Sequence, residues 1–235
     1  MAPPALVMAT RNPGKIRELK ALLRDSGVTL LSLADFPHLP EIPEEGATFA
    51  GNAAAKAIAV ARLTGQPALA DDSGLMVDAL KGAPGVFSAR YAQDRTAPRP
   101  PTDADNWGKL LSELKDVPWG ERGARFVCEL ALATPDGRVR RARGECAGVI
   151  ALEPRGETGF GYDPVFWVPA YQATMAQLGP EIKNKISHRA KALTAFKELI
   201  AAWKEELVTG GLGGAGTREA APVKFPYPRA SKTEN

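Results

Sequence analysis

The sequence predicts an α/β fold built on a largely parallel or mixed β-sheet flanked by helices. Short apolar strands alternate with helical patterns over the first 70 residues, an order typical of such sheets. A strand over residues 5–9 is followed, after Pro13-Gly14, by apolar residues at helical spacing. An alanine-rich helix over residues 51–63 then leads into a strand over residues 68–70.

The rest of the chain predicts a hairpin and two further helices. Helical spacing indicates one helix around residues 107–114 and a longer one over residues 188–207. Residues 125–134 and 140–149 flank Pro135-Asp136-Gly137, which predicts a reversal between antiparallel strands. The Pro- and Arg-rich residues 82–101 predict a mobile flap. We expect one domain over residues 1–207 and a disordered, glycine-rich tail over residues 208–235.

Composition argues against several classes of protein. The chain has 235 residues, and its net charge of +3, from 30 basic and 27 acidic side chains, is too mild for non-specific binding to duplex nucleic acid. Two cysteines and the lack of an apolar run of about 20 residues predict a reduced, cytoplasmic protein with no membrane segment. A chain of this length can bury a core without disulfide bonds.

Two adjacent carboxylates, Asp71 and Asp72, follow an apolar strand and precede Ser73-Gly74, where we expect a turn. Carboxylates bind hard divalent cations, and Mg²⁺ usually takes one or two of them, with water and phosphate oxygens as its other ligands. Glu44 and Glu45 are the candidates for a further ligand. The alternative is a solvated turn, because Asp, Ser and Gly all favour turns.

The segment Thr10-Arg11-Asn12-Pro13-Gly14-Lys15 joins the first strand to the first helix. A helix N-terminus presents free backbone N–H groups and a positive dipole end, and Lys15 adds a charge, so this loop can bind phosphate. Its spacing matches neither a Walker loop nor a dinucleotide-binding glycine motif. An ordinary strand-to-helix connection is an equally good interpretation of the motif alone.

An aromatic segment over residues 159–164 combines glycines with Phe160 and Tyr162. Its rings can stack on a planar base or simply fill the core, and the composition fits both.

The last predicted helix begins with Ser187-His188-Arg189. Ser187 is a good N-cap, but cations in a first turn oppose the helix dipole. Lys183 and Lys185, just upstream, enlarge the positive region. We therefore expect a bound anion at this helix start.

Together these residues resemble the inosine triphosphate pyrophosphatase family in its bacterial form. The resemblance extends from residue 5 to residue 203 and is carried by motifs in the same order: Thr10 to Lys15 with Glu18, Thr48-Phe49 with Asn52 and Lys56, Ala70-Asp71-Asp72-Ser73-Gly74-Leu75, Gly82-Ala83-Pro84-Gly85 with Ser88-Ala89-Arg90-Tyr91, Gly159 to Pro164, and Ile186-Ser187-His188-Arg189. It implies an elongated mixed sheet flanked by helices, two lobes around a central substrate cleft, and a homodimer. It also implies hydrolysis of ITP, dITP and XTP to the monophosphate and pyrophosphate.

The resemblance also assigns residue roles. The triphosphate would be bound by Thr10, Arg11, Asn12, Pro13, Gly14 and Lys15. Asp72 would be the proton acceptor and a magnesium ligand, and Ser73 would contact the substrate. The nucleotide and its base would be held by Phe160, Gly161, Tyr162, Asp163, Lys183, His188 and Arg189. The cofactor would be Mg²⁺, one per subunit, with Mn²⁺ as a substitute. Glu44 is favoured as its second carboxylate, with Glu45 as the alternative, and Gly51 stands where the family usually has an acid.

Three other functions compete with this prediction. A sensor could hold the nucleotide without hydrolysing it, and a related pyrophosphatase could act on other modified nucleotides. A nucleic-acid-binding module could use the arginines over residues 138–143, although these more simply form a solvated hairpin face. Release of pyrophosphate distinguishes the enzyme from the sensor, and steep salt dependence of binding would favour the nucleic-acid module.

Overall fold

The computed structural model describes residues 3–43 and 46–208, whose strands form one seven-stranded sheet in the order β2-β1-β3-β4-β5-β6-β7. The strands are β1 Ala5–Met8, β2 Thr29–Ser32, β3 Ala68–Val77, β4 Gly123–Ala133, β5 Val139–Ile150, β6 Phe166–Val168 and β7 Ala173–Thr174. The helices are α1 Pro13–Leu22, α2 Phe49–Thr64, α3 Gln93–Thr96, α4 Asp103–Glu113, α5 Pro180–Ile186 and α6 His188–Val208.

The sheet is mixed, as predicted. Strand β1 runs parallel to β2 and β3. The chain passes from β1 to β2 through α1 and from β2 to β3 through α2, as parallel strands require. From β3 to β7 every neighbouring pair is antiparallel. The predicted hairpin is present and longer than expected, because β4 and β5 pair from Gly123↔Val149 to Ala133↔Val139.

Strand β3 corrects one prediction. The two aspartates do not lie at a turn: they lie inside a ten-residue strand in which Asp72 pairs with Glu129 and Ser73 with Cys128. Asp, Ser and Gly favour turns locally, but the long neighbouring strand β4 offers backbone partners along all of β3. Pairing between distant segments therefore overrides the local preference.

Three apolar clusters cover the sheet. Helices α1 and α6 pack on one face, through residues such as Leu19 and Phe196, and α2 packs on the opposite face through alanines and Val60. The third cluster covers the far half of β3 to β5 and includes Leu75 of β3 and Leu110 of α4. Asp72 and Ser73 therefore lie where β3 passes from the first two clusters to the third.

The segment over residues 82–101 is more regular than the predicted flap. Gly85–Arg90 forms a 3₁₀ helix and α3 follows it. The buried Asn106 of α4 accepts a hydrogen bond from Ala92 N at 2.9 Å and donates to Ala89 O at 3.2 Å. An irregular loop is thus the wrong description, because α4 satisfies backbone groups of this segment.

The last helix begins at His188, as predicted, and ends at Val208. Val208, predicted as the first residue of the tail, is therefore the last residue of α6. Residues 209–235 lie outside the described part of the chain. One domain with two lobes over residues 1–207 stays a prediction. No helix among the described residues is long and apolar enough to cross a bilayer.

Candidate active site

The loop before α1 has the geometry of a helix N-terminus. Asn12 is the N-cap, and its side chain accepts a hydrogen bond from Lys15 N at 3.1 Å. Thr10 Oγ1 in turn accepts from Asn12 N at 3.2 Å. Pro13 occupies the first turn, where its missing N–H costs nothing. The backbone is thereby fixed with the start of the helix facing the cavity described below.

The two neighbouring aspartates have different surroundings, because successive side chains of a strand point to opposite faces. The Asp71 carboxylate is fully buried, forms an ion pair with Lys15, and accepts from Arg189 Nε at 3.1 Å. Burial alone would raise the pKa of Asp71, but the charges of Lys15 and Arg189 outweigh burial and hold that pKa well below its ordinary range. Asp71 is therefore ionised at neutral pH and lies at the centre of a buried ion-pair cluster with Lys15 and Arg189.

The cations of α5 and α6 are compensated by carboxylates of the protein. Arg189 donates to Glu18 at 2.8 Å and to Ser73 Oγ at 2.7 Å. Lys183 pairs with Glu18 at 2.9 Å and also with Asp163. Glu18, Asp71 and Asp163 thus balance the charges of Lys183 and Arg189 within the protein, and a bound anion at this helix start stays a prediction.

The Phe160 ring is close both to Gly14 of α1 and to these cations. Lys183 Nζ lies 4.8 Å and Arg189 Cζ 5.1 Å from the ring centre, within the range of cation–π attraction. A Cβ atom added to Gly14 would come within 2.6 Å of the ring. Only glycine therefore allows α1 to approach Phe160 this closely.

His188 is buried and uncharged at neutral pH. Its ring stacks on Phe126, with ring centres 4.8 Å apart and an angle of 18° between the planes. Burial, and next the positive charge of Arg189, lower the pKa of His188 well below its ordinary value. Within the described residues, its buried Nδ1 has no hydrogen-bond partner. A neutral imidazole of this kind can donate or accept one further hydrogen bond.

These groups meet in one cavity, here called the main cavity. Its lining includes Asn12, Lys15, Asp72, Phe160, His188 and Arg189. Of the other predicted residues, Ser73, Gly161, Tyr162 and Asp163 also line it. The residues that the prediction required to converge thus do so, although they come from α1, β3, the aromatic segment and α6.

An adjoining cavity shares Asn12 and Lys15 with the main one and is lined in addition by Thr10, Arg11 and Lys56. Lys56 was not among the predicted site residues. It is buried on α2, and its Nζ lies 3.4 Å from the backbone oxygen of Asp71. A lysine inside an alanine-rich helical face was the sequence signal for it.

Some predicted residues lie elsewhere and some unpredicted ones lie in the main cavity. Gly14 and Lys183, both predicted, line a separate cavity to which Phe160 also contributes. Arg90 and Asp103 line the main cavity but were not among the predicted site residues. Arg90 lies in a motif of the family resemblance that was given no role, and no motif marked Asp103.

Of the carboxylates predicted to bind a divalent cation, only Asp72 lies among the described residues. Asp72 is 5% exposed and lines the main cavity, and its Oδ1 accepts from Ser73 N at 3.1 Å. The predicted second ligand, Glu44 or Glu45, lies outside the described residues. The rest of the structure shows no group of three or more His, Cys, Asp or Glu side chains able to hold a metal ion.

Comparison with known proteins agrees with this arrangement. The sequence profile of the Ham1 family matches residues 6–199. The chain belongs to the Ham1 family. Among its Ham1 relatives, the dITP/XTP pyrophosphatase of Desulforamulus reducens is 53% identical over 195 residues, which cover 83% of this chain and 94% of that protein. That of Geobacter sulfurreducens is 53% identical over 193 residues, or 82% and 94% of the two chains.

Solved structures of Ham1 proteins have the same fold. The HAM1 protein from Coxiella burnetii aligns with a TM-score of 0.75 and 43% identity, covering 86% of this chain and 99% of that one. The nucleoside-triphosphatase / dITP/XTP pyrophosphatase from Mycobacterium abscessus aligns with a TM-score of 0.67 and 45% identity, covering 82% and 98%. The family resemblance seen in the sequence is confirmed, and with it the open mixed sheet flanked by helices.

Proposed function

We propose that this protein hydrolyses ITP, dITP and XTP to the nucleoside monophosphate and pyrophosphate in the cytoplasm, removing non-standard purine nucleotides from the nucleotide pool. The observation that carries the proposal is that Lys15, Asp72 and Arg189 line one cavity. Relatives of 53% identity named dITP/XTP pyrophosphatase support it.

The triphosphate would lie where the two cavities adjoin. Asn12 and Lys15 line both of them, and Thr10, Arg11 and Lys56 line the second. The N-terminus of α1 supplies backbone N–H groups and the positive end of the helix dipole, which favour phosphate oxygens. The phosphate chain would thus run from the start of α1 towards Lys56.

Asp72 would accept the proton of the attacking water. Its carboxylate lines the main cavity beside Lys15 but on the opposite strand face from Asp71, so the structural carboxylate and the reacting one are separate groups. Proton transfer to a positioned carboxylate contributes typically about a hundredfold or more to rate. Water would attack near the bridge between the α- and β-phosphates, and pyrophosphate would leave as a stabilised anion.

The residues fit a magnesium ion. Asp72 offers a carboxylate at the cavity surface, and Mg²⁺ needs only one or two protein carboxylates when phosphate oxygens are also present. Asp72 and Glu44 would hold one ion per subunit, with Glu45 as the alternative ligand and Mn²⁺ as a substitute metal. When bound, the ion would supply neutralisation of the triphosphate charge.

The purine would lie at the other end of the main cavity, near Phe160 and His188. The Phe160 ring can stack on a planar base, and the ring of the neutral His188 lines the same cavity. A donor at this position meets the 6-oxo group of hypoxanthine or xanthine. The 6-amino group of adenine would leave such a donor unpaired, at a cost of about 1–3 kcal/mol for each mismatch.

A substrate panel tests the proposal. Purified protein is incubated with ITP, dITP, XTP, GTP, ATP and dUTP, with and without Mg²⁺ or Mn²⁺, and pyrophosphate is resolved from orthophosphate. We expect metal-dependent release of pyrophosphate that is fastest with ITP, dITP and XTP. Preference for another modified nucleotide would replace the substrate assignment, and binding without hydrolysis would mean a nucleotide-binding protein that is not an enzyme.

We also propose a homodimer, with its interface at an exposed apolar surface around Phe87. The Phe87 side chain is 56% exposed and stacks with Arg90. It adjoins a surface depression lined in part by Phe49, Met76 and Pro84. Light scattering should give the mass of two chains, and Phe87→Glu should shift it to one. Leu152→Glu, which places the same charge at another exposed apolar side chain, is the matched control and should leave the mass unchanged. A monomeric wild-type protein would refute this interface.

A further inference from the structure

Two hydrogen bonds join the aromatic loop (residues 159–163) to the opposite side of the main cavity. The Tyr162 hydroxyl donates to Ser88 O at 2.8 Å, and this contact is buried. Gly161 N donates to Asp103 Oδ2 at 2.7 Å, and this contact is exposed. Both Asp103 and Gly161 line the main cavity. One side of the cavity is therefore held to the other by a buried contact and by an exposed one.

Asp103 is a firmly placed acceptor. It is the first residue of α4, whose start is fixed by a capping box between Thr102 and Asp105. Arg99 adds a pair of hydrogen bonds to Asp105, at 2.7 and 3.1 Å. One helical turn further on, Asn106 binds the backbone of the neighbouring segment. The carboxylate of Asp103 thus projects from a rigid helix start.

The aromatic loop has more conformational freedom of its own. Gly159 and Gly161 have φ angles of +87° and +64°, and glycine reaches many other conformations from there at little cost. Phe160 lies between them, and its N–H is held by Asp163 at 2.9 Å. The hydrogen bond to Asp103 is therefore the contact that holds Gly161, and with it one end of Phe160, against the opposite side of the cavity.

We propose that Asp103 is a positioning residue that fixes the aromatic loop, and so sets the Phe160 ring at the nucleobase end of the cavity. This inference rests on the proposed function for the identity of the base, but its argument uses only the two contacts and the geometry of the loop. Loss of the Asp103 acceptor lets the loop move away from α4. Binding of the purine part of a ligand then weakens, whereas the phosphate end, built on α1 and Lys56, is unchanged.

Calorimetric titration of two separate ligands tests this assignment. The wild-type protein and the variants Asp103→Ala, Asp103→Asn and Asp116→Ala are each titrated with IMP and with inorganic tripolyphosphate, both in the presence of Mg²⁺. Asn keeps an acceptor oxygen at the same position, and Asp116 is a highly exposed carboxylate just beyond the other end of α4. Thermal unfolding of each variant separates a loss of helix stability from a loss of binding.

We expect Asp103→Ala to weaken IMP binding by about fivefold to tenfold, which corresponds to the loss of one ordinary, solvent-exposed hydrogen bond. Tripolyphosphate binding should stay within about twofold of the wild-type value for every variant, and Asp103→Asn and Asp116→Ala should bind IMP nearly as the wild type does. Equal weakening of both ligands by Asp103→Ala, or no weakening of IMP, would overturn the assignment. Wild-type protein that bound tripolyphosphate but no purine nucleotide would refute the proposed function as well.

Discussion

Replacing Asp71 by asparagine tests whether this aspartate stabilises the fold while its neighbour Asp72 serves catalysis. The change keeps the volume and one acceptor oxygen but leaves Lys15 and Arg189 facing a neutral amide inside the protein. Removing one partner of a buried ion pair typically costs about 3–5 kcal/mol. Because Arg189 keeps its contacts with Glu18 and Ser73, we expect a loss near the lower end, about 3 kcal/mol.

Urea unfolding at pH 7 measures this loss, and Asp72→Asn is the matched control in the adjacent position. Asp72 lines the cavity, whereas Asp71 is fully buried between Lys15 and Arg189, so replacing Asp72 should lower the free energy of unfolding by less than replacing Asp71 does. Its hydrolysis rate should nevertheless fall at least about a hundredfold. Equal stability of Asp71→Asn and the wild type would refute the structural role of Asp71.

The stability difference between the wild type and Asp71→Asn should depend on pH. The folded-state pKa of Asp71 is lowered below its ordinary value of 3.8, so the unfolded chain takes up this proton first as the pH falls. The stabilisation by Asp71 is therefore complete well above pH 3.8 and is lost as the pH falls below it. The difference in unfolding free energy between the wild type and Asp71→Asn should shrink in that range, and a constant difference would contradict the ion-pair explanation.

Three further variants test other parts of the structure. Gly14→Ala should weaken IMP binding in calorimetry by about tenfold, because its Cβ would displace the Phe160 ring. Gly108→Ala, with open space around the new Cβ, should not weaken it. Equal effects of the two variants would refute the packing argument. Arg122→Ala should lower the free energy of unfolding, measured in urea, by about 2–4 kcal/mol, because this buried guanidinium donates to four backbone carbonyls. An unchanged free energy of unfolding would mean that solvent replaces those hydrogen bonds. Between pH 6.5 and pH 5 the wild-type protein should lose stability, because the pKa of His188 is lowered in the folded protein and only the unfolded chain takes up this proton. His188→Gln should lose less stability over the same range. An unchanged dependence of the unfolding free energy on pH would contradict the buried neutral imidazole.

The sequence predicted those elements whose pattern is local. The spacing of Ile16 and Leu19 predicted α1, and alternation on either side of Pro135-Asp136-Gly137 predicted the β4–β5 hairpin. The extent of β3 could not be predicted in this way. Its second half, from Ser73 to Val77, is a strand because β4 pairs with it, and the paired residues lie from 47 (Val77↔Ala124) to 55 (Ser73↔Cys128) positions further along the chain. Strands β2 and β7 were missed because they are only four and two residues long, too short to show an alternating pattern.

In the candidate site, too, the features with a local sequence pattern were predicted and those set by distant contacts were not. Residue types and spacing identified Lys15, Asp72 and Arg189, which the structure places in one cavity. They did not show that Asp71 is the buried partner of two cations, or that Glu18 accepts from Arg189 across 171 residues of sequence. Charge compensation of this kind depends on which helices pack together, and one sequence does not contain that information in a readable pattern.

Analysis by ³¹P NMR of the products formed from ITP tests the central claim most directly. With Mg²⁺ present, the wild-type protein should convert ITP into IMP and pyrophosphate in equal amounts, without IDP or orthophosphate. Folded Asp72→Asn should form these products at least about a hundredfold more slowly. Formation of IDP and orthophosphate, or near-normal turnover by the Asp72 variant, would contradict the account.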